Sequence, residues 1–127
     1  MEHTAELELE IGASTEAGVF GEALRALAEL LASEDDENAP ARREVVAEAA
    51  DRPALLAAWL EELVFLAESE GFVASGVEAL RLTEQALEAT VSGQLGRPPP
   101  LVKAVTYHRL AFAPAGEGYR ATVVLDV

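Results

Sequence analysis

Leu7-Glu8-Leu9-Glu10-Ile11 alternates apolar and acidic residues without a break, the two-residue period of a β-strand. Leu7, Leu9 and Ile11 fall on one side, and Glu6, Glu8 and Glu10 on the other. The chain is thereby committed to a sheet that is buried on one face. Gly12 is expected to end this segment.

The next stretch changes period. Ser14 or Thr15 can cap a helix, and Glu16 sits in the first turn, where the helix dipole favours an acid. Phe20, Leu24, Leu27 and Leu31 then follow at helical spacing, and the helix should fade by Ala32. The acidic turn Ser33-Glu34-Asp35-Asp36-Glu37-Asn38 before Pro40 matches no EF-hand spacing and reads as a solvated connection. Arg42 to Ala49 is a weaker strand.

Asp51 is a good N-cap and Pro53 fits a first helical turn. Leu56, Trp59, Leu60, Leu63 and Ala67 form the apolar stripe, and Gly71 is a stop. Trp59 on that stripe reads as core. From Phe72 the pattern turns to β. Val77 to Leu82 and Ala86 to Leu95 are strands joined near Thr83-Glu84. Arg97-Pro98-Pro99-Pro100 cannot pair in a ladder and makes a stiff connection. Leu101 to Phe112 and Tyr119 to Asp126 are strands around a turn at Gly116 to Gly118. The expectation is a single α+β domain over residues 1–127, with a mixed, mainly antiparallel sheet of about six strands and two helices packed on one face.

Charge narrows the function. The chain carries 23 acidic residues against nine basic ones, for a net charge of −14. Eight of the basic residues are Arg, and the other is Lys103. Such a chain repels phosphate backbones, so direct nucleic-acid binding is not expected. Cations and basic protein surfaces are the partners that fit. The lack of cysteine excludes disulfides, thiolate zinc sites and cysteine nucleophiles. The N-terminal MEHTAELELEIGA lacks the basic region and apolar run of a signal peptide, and no stretch is long enough to span a membrane. A cytoplasmic protein is expected. No serine lies in a nucleophile elbow, and no glycine-rich phosphate loop is present.

Carboxylates remain. Asp126 ends the apolar run Val123-Val124-Leu125, with the α-carboxylate of Val127 one residue later. Two such charges ~4 Å apart repel by roughly 4 kcal/mol at an effective dielectric of 20, and a hard cation between them reverses the sign. The plainer reading is a frayed, solvated tail.

Four segments together, in order and spacing over essentially the whole chain, resemble the archease family. They are His3-Thr4-Ala5-Glu6, Trp59-Leu60-Glu61-Glu62-Leu63-Val64-Phe65-Leu66 with Glu70-Gly71, Lys103-Ala104-Val105-Thr106-Tyr107-His108, and Val124-Leu125-Asp126-Val127. The last two are quite specific in combination. The resemblance implies a small, non-catalytic α+β protein that assists an RtcB-type RNA ligase in tRNA splicing and RNA repair. Such a protein promotes guanylylation of the ligase and so allows multiple turnover. It also implies a divalent-cation site, Ca²⁺ foremost with Mg²⁺ as an alternative, held by Glu6, Asp126 and Val127. The family usually has aspartate where this chain has Glu6, which keeps the charge and adds a methylene. The segment around Arg97 is shorter than the family's.

His3 lies near this proposed site, with a hydrogen-bonded structural role as the plainer reading. Strand parity groups Lys103 with Tyr107 and Arg109 on one partner-facing surface, and turns Thr106 and His108 the other way. For Lys103 the rival role is a salt bridge to the abundant acids. Two other functions compete: a metal-dependent hydrolase of small molecules, and an acidic interaction domain without metal.

Overall fold

A computed structural model describes residues 5–32 and 38–127. His3 and most of the acidic turn, Ser33 to Glu37, lie outside the described residues. The element order is β1 (Glu6–Ala13), α1 (Glu16–Leu31), β2 (Ala39–Glu48), α2 (Arg52–Glu70), β3 (Phe72–Leu82), β4 (Ala86–Leu95), β5 (Ala104–Ala115) and β6 (Gly118–Asp126). The class is α+β, with two helices and six strands as the periodicities indicated. The strands form not the one mixed sheet expected but two three-stranded sheets, ordered β1-β6-β5 and β2-β4-β3, with every pairing antiparallel, because periodicity marks strands and not their partners.

Local chemistry sets the helix ends. The Thr15 hydroxyl accepts from the Gly18 N–H at 2.9 Å, and the Asp51 carboxylate accepts from the Ala54 N–H at 2.9 Å. Each cap satisfies a donor that the first helical turn leaves free. Gly71 closes α2 in the left-handed region at φ 69, donating its N–H to Ala67 O. β3 follows at once from Phe72, five residues earlier than its period suggested, because Phe72 and Ala74 are already buried against the core.

The helices cover the apolar faces of both sheets: α1 packs on β1 and β3, α2 on β2 and β5. All five residues of the α2 stripe are buried, as are Phe20, Leu24, Leu27 and Leu31 of α1. Trp59 joins the helices. Its indole N–H donates to the Phe20 carbonyl at 3.0 Å, and its ring meets Phe20 edge-on at 6.5 Å between centroids. Phe20 in turn packs on Phe112 of β5 at 5.8 Å. Burying an indole with its one donor satisfied keeps the hydrophobic gain without an unpaired N–H. Among the described residues, no polar or charged residue is buried.

β4 is the central strand of its sheet, and Gly93 lets β3 lie against it: a Cβ there would stand 2.0 Å from the Val73 carbonyl oxygen. Gly93→Ala is expected to destabilise by about 1–3 kcal/mol or more, as overpacking against backbone does. Gly21→Ala, inside α1 with nothing within 4 Å of the added methyl, is expected to stabilise by up to about 1 kcal/mol. Thermal melts followed by circular dichroism check both signs.

Candidate functional site

β1 and β6 pair over eight consecutive positions, with Glu6 opposite Asp126, Glu8 opposite Val124 and Glu10 opposite Thr122. Directly opposed residues project to the same face. This is the face away from the core, since the intervening pairs Leu7–Leu125, Leu9–Val123 and Ile11–Ala121 point inward. The Val127 N–H donates to the Ala5 carbonyl at 2.9 Å. That bond flanks Glu6 and Asp126 rather than joining them, so they form the non-hydrogen-bonded kind of pair, in which side chains stand closest. The ladder thus brings together Glu6 and Asp126, with the Val127 backbone pinned beside them. Val127 is partly buried against the core.

β5 lies on the other side of β6. Ala104 stands opposite Asp126, and the Lys103 N–H donates to the Asp126 carbonyl at 2.7 Å. Lys103 is therefore tied to the site through its main chain. Its side chain is exposed and makes no ion pair among the described residues.

Beyond Thr106 the ladder breaks. Thr106 pairs with Val124 and Ala111 with Thr122, so four residues, Tyr107 to Leu110, stand against Val123 alone. The Thr106 hydroxyl accepts from the His108 N–H at 3.3 Å, a local turn that competes with the ladder and starts the bulge. Arg109 adopts φ 55, in the left-handed region that costs a non-glycine residue of order 1 kcal/mol. The alternation expected for this strand holds up to Thr106, and the bulge breaks it from Tyr107 onward. Thr106 shares the outer face with Asp126 by register, and Lys103, Tyr107 and Arg109 do not form one alternating surface. Tyr107 and His108 are both exposed.

Arg109 does what the sequence pattern did not show. Its guanidinium lies 3.7 Å from a Glu6 carboxylate oxygen and 3.6 Å from one of Glu8. To reach them from β5 the side chain crosses β6 on the outer face. Val124 lies under that crossing, between Thr106 and Glu8 in the register, and is fully buried although it faces away from the core. No signal in the sequence announces the bulge; the surplus shows only in the paired strands, where β5 has 12 residues and its hairpin partner β6 has nine.

The site is an open surface, with the Glu6 side chain 50% exposed. Among the described residues, no three histidine, cysteine, aspartate or glutamate side chains gather closely enough to hold a metal ion. Glu6 and Asp126 supply two carboxylates, and any further oxygens would come from the main chain at Val127 or from water. An all-oxygen donor set of this kind suits a hard cation such as Ca²⁺. No described helix is long and apolar enough to cross a membrane.

Comparison with known proteins identifies the family and the fold. The model of the Archease protein family (MTH1598/TM1083) matches residues 1–127. Protein archease of Methanosarcina acetivorans is 31% identical, covering all of this chain and 93% of the relative. Protein archease of Methanosarcina barkeri is 27% identical with the same coverage. Among solved structures, an archease from Thermotoga maritima, described as a possible chaperone, superposes with a TM-score of 0.71 at 21% identity. That likeness covers 100% of this chain and 94% of the other. Protein 1598 of Methanobacterium thermoautotrophicum superposes at 0.64 with 24% identity, again over 100% of this chain and 94% of the other. Matched from end to end by the family model and by relatives of nearly its own length, this chain belongs to the archease family.

Proposed function

We propose that this protein is a non-catalytic activator of an RtcB-type RNA ligase in tRNA splicing and RNA repair. It promotes the ligase's guanylylation and multiple turnover, and it holds a divalent cation, Ca²⁺ by preference, at Glu6, Asp126 and Val127. The observation that carries this reading is the match of the whole chain to the archease family, in which a solved relative is described as a possible chaperone. Acting on a partner also fits the surface. A chain of net charge −14 is drawn toward a basic, RNA-binding protein, and such complementarity speeds encounter more than it tightens the complex.

Support for the cation comes from the pairing of Glu6 with Asp126. Two carboxylates on one face of a closely spaced pair repel, and a divalent cation relieves that repulsion. Glu in place of Asp at position 6 carries the carboxylate one methylene further from the strand, so it reaches the site from a different angle than the shorter acid. Selectivity among divalent cations depends on such differences in cavity size and ligand arrangement.

Multiple-turnover RNA joining by the cognate ligase tests the activator role. Wild-type protein is expected to raise turnover, and Asp126→Ala to remove at least nine-tenths of that stimulation while the circular dichroism spectrum stays unchanged; full stimulation by Asp126→Ala contradicts the assignment. The cation is tested separately. A ligand bound only by the folded state at 100 times its Kd adds about 2.7 kcal/mol. Saturating Ca²⁺ is therefore expected to raise the melting temperature by several degrees, chelator to reverse the rise, and Asp126→Asn to show none.

A further inference from the structure

Among the described ion pairs, Arg109 is the one base that bridges two acids, and one of those acids is the proposed cation ligand Glu6. The guanidinium is delivered across a neighbouring strand by a four-residue bulge, with Arg109 itself held at φ 55. Building that bulge gives up regular pairing along Tyr107 to Leu110, and its product is a positive charge over the outer face of β1. The reach also uses the longer acid: glutamate at position 6 extends its carboxylate away from the strand and toward the guanidinium.

Resting on the cation site proposed above, we infer that Arg109 is an intramolecular competitor for it, which must leave Glu6 before a divalent cation can bind there. The guanidinium and the cation want the same carboxylate oxygens, and the two positive charges repel at that separation. Cation binding is thus coupled to the bulge. Arg109 on Glu6 and Glu8 holds Tyr107 to Leu110 over β6. With a cation on Glu6, the clasp opens and the exposed Tyr107 and His108 become free to rearrange. Any partner that contacts the bulge would read out occupancy of the site through this movement, because ligand and clasp can shift the balance only by their differential affinity for the two states.

Calorimetric titration of CaCl₂ into the full chain tests this, with folding of each variant checked by circular dichroism. Arg109→Gln is expected to bind Ca²⁺ about three- to tenfold more tightly than wild type, the size appropriate to losing a half-exposed pair and a nearby like charge. Arg109→Lys keeps the charge but cannot fork across two carboxylates, and should fall between the two. Arg120→Gln removes a charge opposite Gly12, six residues and roughly 20 Å along the strand, and should change affinity less than twofold. In wild type, Ca²⁺ should also shift the backbone amide resonances of Tyr107 to Leu110. If Arg109→Gln binds no more tightly than wild type while Asp126→Asn abolishes binding, the cation site stands and the role of Arg109 is overturned. Equal tightening by Arg120→Gln also overturns it, since the effect is then one of overall charge. If neither wild type nor Arg109→Gln takes up Ca²⁺, the cation site itself is wrong and this inference falls with it.

Discussion

The antiparallel ladder between β1 and β6 is the constraint on which the rest depends. It joins the first strand of the chain to the last, in an unbroken register that places Glu6 against Asp126 and seals Leu9 and Ile11 over the core. Because side chains alternate at each residue, a slip of one position would turn all the acids inward and all the aliphatic residues outward. The cost of that slip fixes the outer-face geometry. The proposed site is thus positioned by hydrophobic burial on the opposite side of the same strands, not by interactions among its own polar groups.

Around that ladder the two helices act as a shared cover. Each touches both sheets, and the Trp59 indole bonded to the Phe20 carbonyl locks one helix to the other through the core. Phe112 continues this contact to β5, the strand that carries the bulge. The side of β5 facing the core is therefore fixed by aromatic packing, and the outer side is free to bulge. A rigid interior beneath an irregular exposed segment is a common way for a small fold to present a functional surface.

Much of this was legible in the sequence, because most of it depends on periodicity and on caps. Thr15, Asp51 and Gly71 bound their helices for local reasons, and the alternation in β1 showed which acids face water. The meeting of Glu6 with Asp126 was legible only as an implication of family resemblance, since strand pairing between the two ends of a chain has no local signature. The bulge was not legible at all from the pattern. Its residues continue an apparently regular strand, and nothing in Tyr107-His108-Arg109-Leu110 announces a left-handed arginine. Only the unequal lengths of β5 and β6, known once their pairing is known, required it.

Crystals grown with Ca²⁺ or soaked with a heavier analogue, measured for anomalous scattering, test the account most directly. The expected result is one strong peak between Glu6 and Asp126, with carboxylate oxygens about 2.3–2.6 Å away as Ca²⁺ requires. A peak elsewhere on the acidic surface, or none at that pair at saturating cation, would contradict it.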